Sequence, residues 1–136
     1  MFLSISFGRK GALSKTILIV DDNPAIRKIL REMLEREAGW KVCGEASNGR
    51  EGIEKAQQLH PDVVVLDLSM PVMNGLEAAR ELKQLLPSLP VVMFTNFETH
   101  HLKQEILSAG IKVIVSKDDS AKALVSSIQA LLKPAS

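Results

Sequence analysis

Four short apolar runs in this sequence lead into residues that can do chemistry. Ile17-Leu18-Ile19-Val20 runs into Asp21-Asp22, and Val63-Val64-Val65-Leu66 into Asp67. Val91-Val92-Met93-Phe94 runs into Thr95, and Ile111–Val115 reaches Lys117 two residues later. Taken singly, an Asp after a strand is an ordinary helix cap, a Thr is a β-former and a Lys is solvated. Gathered on one rim they form a working set. Three carboxylates within reach of one another repel, and at least one pKa rises unless a cation is present. Oxygen-only ligands with room for water suit Mg2+, which keeps octahedral geometry and several of its waters. Mg2+ and Lys117 together would offset the three charges and leave a seat for an anion. A phosphoryl group fits that seat, because its transfer needs mainly positioning and charge neutralisation. Asp67 is then the nucleophile of an acyl phosphate, Thr95 donates to one phosphoryl oxygen and Lys117 pairs with another.

The elements that must position these residues are legible in the hydrophobic pattern. Ile17–Val20 is a continuous β-branched run, as in a strand buried on both faces. Asn23-Pro24 then supplies an N-cap and a proline at the first helical position. Ile26, Ile29, Leu30, Met33 and Leu34 recur at helical spacing up to a stop at Gly39. Lys41–Glu45 reads as a more polar strand nearer an edge. A second helix runs from about Gly49 to Leu59, opened by Ser47-Asn48 and closed before His60-Pro61. Val63–Leu66 is the third strand. After a loop at Ser69–Asn74 the third helix reaches about Leu86, before Pro87. Val91–Phe94 is the fourth strand, and the fourth helix spans about Glu98 to Gly110. Ile111–Val115 is the fifth strand, and the last helix runs from Asp118, capped by Asp118 or Asp119, to about Leu132. Five βα units predict a parallel sheet with right-handed crossovers and helices on both faces. Such sheets place their sites at the carboxyl ends of the strands.

Composition narrows the field. The chain has 136 residues, 46% hydrophobic and 24% charged, the profile of one ordinary folded domain and not of a disordered or fibrous chain. Its single cysteine, Cys43, excludes an internal disulfide and predicts a reducing, cytoplasmic setting. Net charge is +1, but Arg9, Lys10 and Lys15 load residues 1–15 with +3, leaving −2 on the rest. That balance offers no footprint for nucleic acid. No apolar run approaches the roughly 20 residues of a membrane span. In Met1–Lys10 the apolar stretch precedes the basic pair, the reverse of a signal peptide. Residues 1–15 therefore read as a flexible extension or expression remnant, 16–133 as the domain, and 134–136 as a tail or the start of a linker.

With these residues in view, the sequence resembles the receiver domains of bacterial two-component response regulators over residues 16–133. The motifs are Ile17-Leu18-Ile19-Val20-Asp21-Asp22, Asp67-Leu68-Ser69-Met70-Pro71-Val72-Met73-Asn74-Gly75, Thr95, and Ala109-Gly110 before Lys117. The resemblance implies a flavodoxin-like (βα)5 three-layer sandwich, doubly wound, with parallel sheet order 2-1-3-4-5. It implies that a sensor histidine kinase passes a phosphoryl group from phosphohistidine to Asp67, the domain assisting transfer without being an enzyme in its own right. It implies Mg2+ held by Asp22, Asp67 and the Ser69 carbonyl, with Asp21 acting through water. It further implies a signalling face on the fourth helix, fifth strand and fifth helix, including His100, Lys103, Lys112, Ile114 and Lys122, which can also pair two receivers as a homodimer. Asn48-Gly49-Arg50-Glu51-Gly52 and His60-Pro61-Asp62 look closest to receivers joined to a C-terminal helix-turn-helix DNA-binding domain. The output expected is transcription, and the alternative is a stand-alone or degenerate receiver acting only through protein contacts.

Two positions depart from the family pattern. Asp118 follows Lys117 where the family usually has a cis-proline, which predicts a trans bond and a slightly displaced Lys117. Ile114 stands where an aromatic residue is usual, so no ring is present to follow the movement of Thr95. Asp-nucleophile phosphohydrolases need a second Asp two residues past the first, and Asp21 and Asp22 meet Asn23 and Pro24 there. A flavin site would need a Ser/Thr/Gly-rich loop after the first strand, which this sequence lacks. His60, His100 and His101 lack the spacing of a metal site. Cys43 reads as a small buried hydrophobe. Ser69 and Phe97, each two residues past a site residue, lie near the rim where they would tune water access to an acyl phosphate, although simple packing explains Phe97 equally well.

Overall fold

The computed structural model describes residues 14–96 and 99–133. The 1–15 extension, apart from Ser14 and Lys15, lies outside the described residues, as do Phe97 and the 134–136 tail. In chain order the elements are β1 (Thr16–Val20), α1 (Pro24–Ala38), β2 (Lys41–Ala46), α2 (Gly49–Leu59), β3 (Val63–Leu66), α3 (Gly75–Leu85), β4 (Val91–Thr95), a 3-10 turn (His100–Leu102), α4 (Lys103–Ser108), β5 (Val113–Ser116) and α5 (Ala121–Leu132).

All five strands pair in parallel, in the order β2-β1-β3-β4-β5. This is the expected 2-1-3-4-5 doubly wound sheet. Successive side chains on a strand face opposite sides, so each central strand feeds two cores. Leu18, Val20, Val64, Leu66, Val91 and Met93 pack with Ile53, Ala56, Ala78, Ala79, Leu82 and Ile106, from α2, α3 and α4. Ile17, Ile19, Val63, Val65, Val92 and Phe94 pack with Leu30, Met33 and Leu34 of α1 and with Leu124, Val125 and Ile128 of α5. Continuous apolar strands are therefore needed at the centre of the sheet, where both faces are dry.

The first three helices start and stop where their caps dictate. Asn23 accepts from the Ala25 and Ile26 amides, and Gly39 closes α1 in the left-handed region at φ +68°. Asn48 accepts from the Glu51 amide, and Asn74 forms a reciprocal capping box with Glu77. Later elements depart from expectation. The fourth helix shrinks to a 3-10 turn plus six residues of α-helix, because neither Thr99 nor Leu102 supplies a side-chain cap. The last helix begins at Ala121 and not at Asp118. Its preceding turn is held instead by Ser116, whose Oγ accepts from the Asp118 amide at 3.1 Å and whose carbonyl accepts from the Asp119 amide at 3.0 Å. The fifth strand correspondingly shifts to Val113–Ser116. Cys43 is half-buried, not fully buried: the β1–β2 register slips beside it, passing from Ile17↔Val42 to Leu18↔Gly44. No helix among the described residues is long and apolar enough to cross a membrane.

Candidate functional site

The site follows from strand register. Val20 pairs with Leu66, so the next residues, Asp21 and Asp67, leave adjacent parallel strands at the same edge. Their amides extend the ladder, Asp67 N–H to the Val20 carbonyl and Asp21 N–H to the Ala46 carbonyl, both at 2.9 Å. Thr95 pairs with Ser116, and the Lys117 amide then donates to the Thr95 carbonyl at 3.0 Å. Lys117 is thereby carried over the carboxylates. Asp21, Asp67 and Thr95 are 2%, 6% and 2% exposed, whereas Asp22 stands at the surface.

The Lys117 ammonium lies 2.8 Å from Asp21 Oδ2 and 3.2 Å from Asp67 Oδ2. No cis peptide bond occurs among the described residues, so Lys117–Asp118 is trans as expected, yet Lys117 keeps its reach to both acids. Asp21 Oδ1 accepts the Asn23 amide at 2.9 Å. Burial first, and then the charge of Asp21, push the Asp67 carboxyl above its ordinary value, against the opposing pull of Lys117 and the Thr95 hydroxyl. Burial works against the charged form of Lys117, but Asp21 and Asp67 outweigh it and raise its pKa.

One acceptor in this cluster is unmet: Asp67 Oδ1 is buried and has no hydrogen-bond partner. Asp21, Asp22 and Asp67 each offer a carboxylate oxygen, all within 4.8 Å of one another. A buried orphan acceptor beside surplus negative charge and oxygen-only donors fits a small, hard divalent cation. Ser69 lies exposed two residues past Asp67, on the loop that carries Leu68 and Met70. The loop can turn back there because of Gly75. Its amide donates to the Leu68 carbonyl at 2.8 Å, and a Cβ on it would sit 2.0 Å from the Asp67 carbonyl oxygen. Val72, on the same loop, holds φ +68° and is 78% exposed.

Two contributors escaped sequence reasoning. Gly75 stands in the motif after Asp67, but the sequence did not show that it permits the close backbone approach to the Asp67 carbonyl. Arg27 carried no signal, yet its Nη1 donates to the Asp21 carbonyl at 2.7 Å.

The family model of the response regulator receiver domain matches residues 17–129. The chain belongs to that family. This receiver is 33% identical over 121 residues to the chemotaxis protein CheY of Thermotoga maritima, covering 89% of the chain and 100% of that protein. It is also 33% identical over 117 residues to the transcriptional regulatory protein YdfI of Bacillus subtilis, covering 86% of the chain and 54% of that protein. Among solved structures, a two-component response regulator of the LuxR family from Aurantimonas superposes with a TM-score of 0.83 at 31% identity, covering 88% of this chain and 85% of that one. The chain thus spans the whole of one relative and about half of another. Receiver domains are signalling modules that bind Mg2+ at an acidic pocket, and the acidic cluster of this one is Asp21, Asp22 and Asp67. Ile114, where an aromatic residue was the family expectation, is 40% exposed on β5, which among the described residues is the edge strand beside β4.

Proposed function

We propose that this receiver is a phosphorylation-operated switch that accepts a phosphoryl group from a kinase phosphohistidine onto Asp67. The observation that carries the reading is one ammonium, Lys117, shared between Asp21 and Asp67 while Asp67 Oδ1 has no partner. In the transfer a P–O bond forms to an Asp67 carboxylate oxygen as the P–N bond of the donor breaks. The imidazole leaves with the P–N electron pair and takes a proton from solvent. Asp22, Asp67 and the Ser69 carbonyl would hold Mg2+, with Asp21 acting through water, and the ion would supply positive charge toward the phosphoryl oxygens. Lys117 neutralises one phosphoryl oxygen and the Thr95 hydroxyl donates to another. The domain occupies residues 16–133 in this reading, works in the cytoplasm, and signals through α4, β5 and α5, which also pair two copies. Similarity to YdfI and to the LuxR-family regulator supports a transcriptional output through a DNA-binding partner or domain, the receiver itself touching no nucleic acid.

Acetyl phosphate with Mg2+ tests the acceptor. The chain should gain about 80 Da, one phosphoryl group in place of a proton, and Asp67→Asn should abolish the gain. A mass shift that persists in Asp67→Asn assigns the chemistry to another residue.

A further inference from the structure

We propose that Arg27 is a positioning residue for the cation site, setting the direction of Asp22 through the main chain. The proposal rests on the Mg2+ reading above and concerns a residue that touches neither cation nor phosphoryl group. Arg27 sits one turn into α1, where the helix crosses β2. Its Nε donates to Glu45 Oε1 at 2.9 Å, and its Nη1 to the Asp21 carbonyl at 2.7 Å. Glu45 is itself fixed, because Arg31 Nε holds its second oxygen at 2.8 Å and Lys55 donates to its main-chain carbonyl.

A guanidinium is planar and rigid, so a fork anchored at one edge on Glu45 presents its other edge at a defined place. That place is the Asp21 carbonyl, one residue beyond the last β1 position paired with β3. The peptide unit is planar, so orienting the Asp21 carbonyl orients the Asp22 amide and Cα in the same plane. On the other side, the Asn23 amide is tied to Asp21 Oδ1. Asp22 is exposed, with no packing to aim it, and lies between these two restraints. Arg27 thus joins the end of β2 to the main chain of the acidic pair.

Charge and position make opposite predictions, which gives the test its force. Arg27 is a cation near three carboxylates, so its removal would strengthen Mg2+ binding by charge alone. A positioning role requires weaker binding. The full chain is titrated with Mg2+ alone, followed by the amide shifts of residues flanking Asp22 and Asp67, in wild type, Arg27→Lys, Arg27→Met and Arg31→Met. Arg27→Lys keeps the charge but cannot serve Glu45 and the carbonyl with one fork. It should bind Mg2+ roughly tenfold more weakly, as when a group behind a metal ligand is lost, and Arg27→Met should also weaken. Arg31→Met, which loosens Glu45 but leaves the Arg27 contact to the Asp21 carbonyl in place, should weaken Mg2+ binding less than Arg27→Met does, even where it lowers the melting temperature. If both Arg27 variants bind Mg2+ as tightly as wild type, or more tightly, Arg27 is only a packing group and the proposal falls. Should Arg27→Met fail to fold, Arg27→Lys decides. Asp22→Ala separates the two readings: an Mg2+ response that survives it removes the cation site and this proposal together, whereas its loss alongside an unaffected Arg27→Lys removes this proposal alone.

Discussion

Lys117 stands nearer to Asp21, at 2.8 Å, than to Asp67, at 3.2 Å, so one ammonium serves two buried carboxylates. The cluster with Asp22 carries more negative than positive charge, and Asp67 is the member whose ionised form burial and Asp21 disfavour. The site is therefore built at a cost to the fold, as sites that bind charged ligands often are.

Asp67→Asn should for that reason stabilise the chain in metal-free buffer at neutral pH. The expected gain in melting temperature is a few degrees, the shift that about 1 kcal/mol produces in a domain of this size. The gain should shrink when Mg2+ is added, because the ion stabilises only the carboxylate form. A lower melting temperature for Asp67→Asn in metal-free buffer would show that Lys117 already balances the cluster.

Glu45 gives a pH signature of its own. Burial raises its pKa, but the hydrogen bonds and charges of Arg31 and Arg27 outweigh burial and hold the carboxyl below its ordinary value. A depressed folded-state pKa contributes stability above the unfolded value, and the contribution is lost as pH falls through the folded one. Glu45→Gln should accordingly be less stable than wild type at pH 7. The difference should close on acidification past the ordinary carboxylate pKa of about 4.3. Urea midpoints across that range measure it, and a difference independent of pH would assign the effect to packing.

Val72 is a β-branched residue at φ +68°, inside a tight turn in which the Met73 amide donates to the Pro71 carbonyl at 2.7 Å. β-branched side chains resist that region, whereas Asn tolerates it. With 78% of Val72 exposed, replacing it removes little burial. Val72→Asn should raise the unfolding free energy by about 1 kcal/mol, within the usual cost of such backbone strain. An unchanged urea midpoint would mean that the turn is not strained by its side chain.

Beryllofluoride, a stand-in for the acyl phosphate, reports how the signal leaves the site. With Ile114 in place of an aromatic ring, Thr95 has no ring to displace, and a signal passing through the short α4 would repack it around aliphatic side chains such as Ile106 and Leu107. Amide shifts should extend through residues 95–118. Shifts confined to residues around Asp67 would mean that this face does not switch and would favour signalling by protein contacts alone. A two-state repacking needs a difference of a few kcal/mol between states to run near completion.

The parts of the fold that sequence disclosed are those set by local chemistry. Asn23, Asn48 and Asn74 start their helices because a short side-chain acceptor beside free amides acts within one turn. Where that chemistry is missing, boundaries moved. Asp118 and Asp119 have the right type to cap α5, but their amides are taken by Ser116, and α5 begins at Ala121. The slip at Cys43 was equally hidden, because it depends on how β2 lies against Ile17 and Leu18.

The sequence by itself determined the alternation of apolar strands and amphipathic helices, and with it the gathering of Asp21, Asp22, Asp67, Thr95 and Lys117 at one end of a parallel sheet. A strand buried on both faces has to be apolar throughout, so its first polar residue marks its end. Only the tertiary structure decided which charges meet. That Lys117 is shared by Asp21 and Asp67, that Asp67 Oδ1 is left without a partner, and that Arg27 reaches the Asp21 carbonyl from Glu45 all depend on strand register and helix packing. Those contacts join residues 6 to 96 positions apart in the chain, counting from Asp21 to Arg27 and to Lys117. Hydrogen bonds and ion pairs act over a few ångströms, and at such separations only the folded backbone sets the distance.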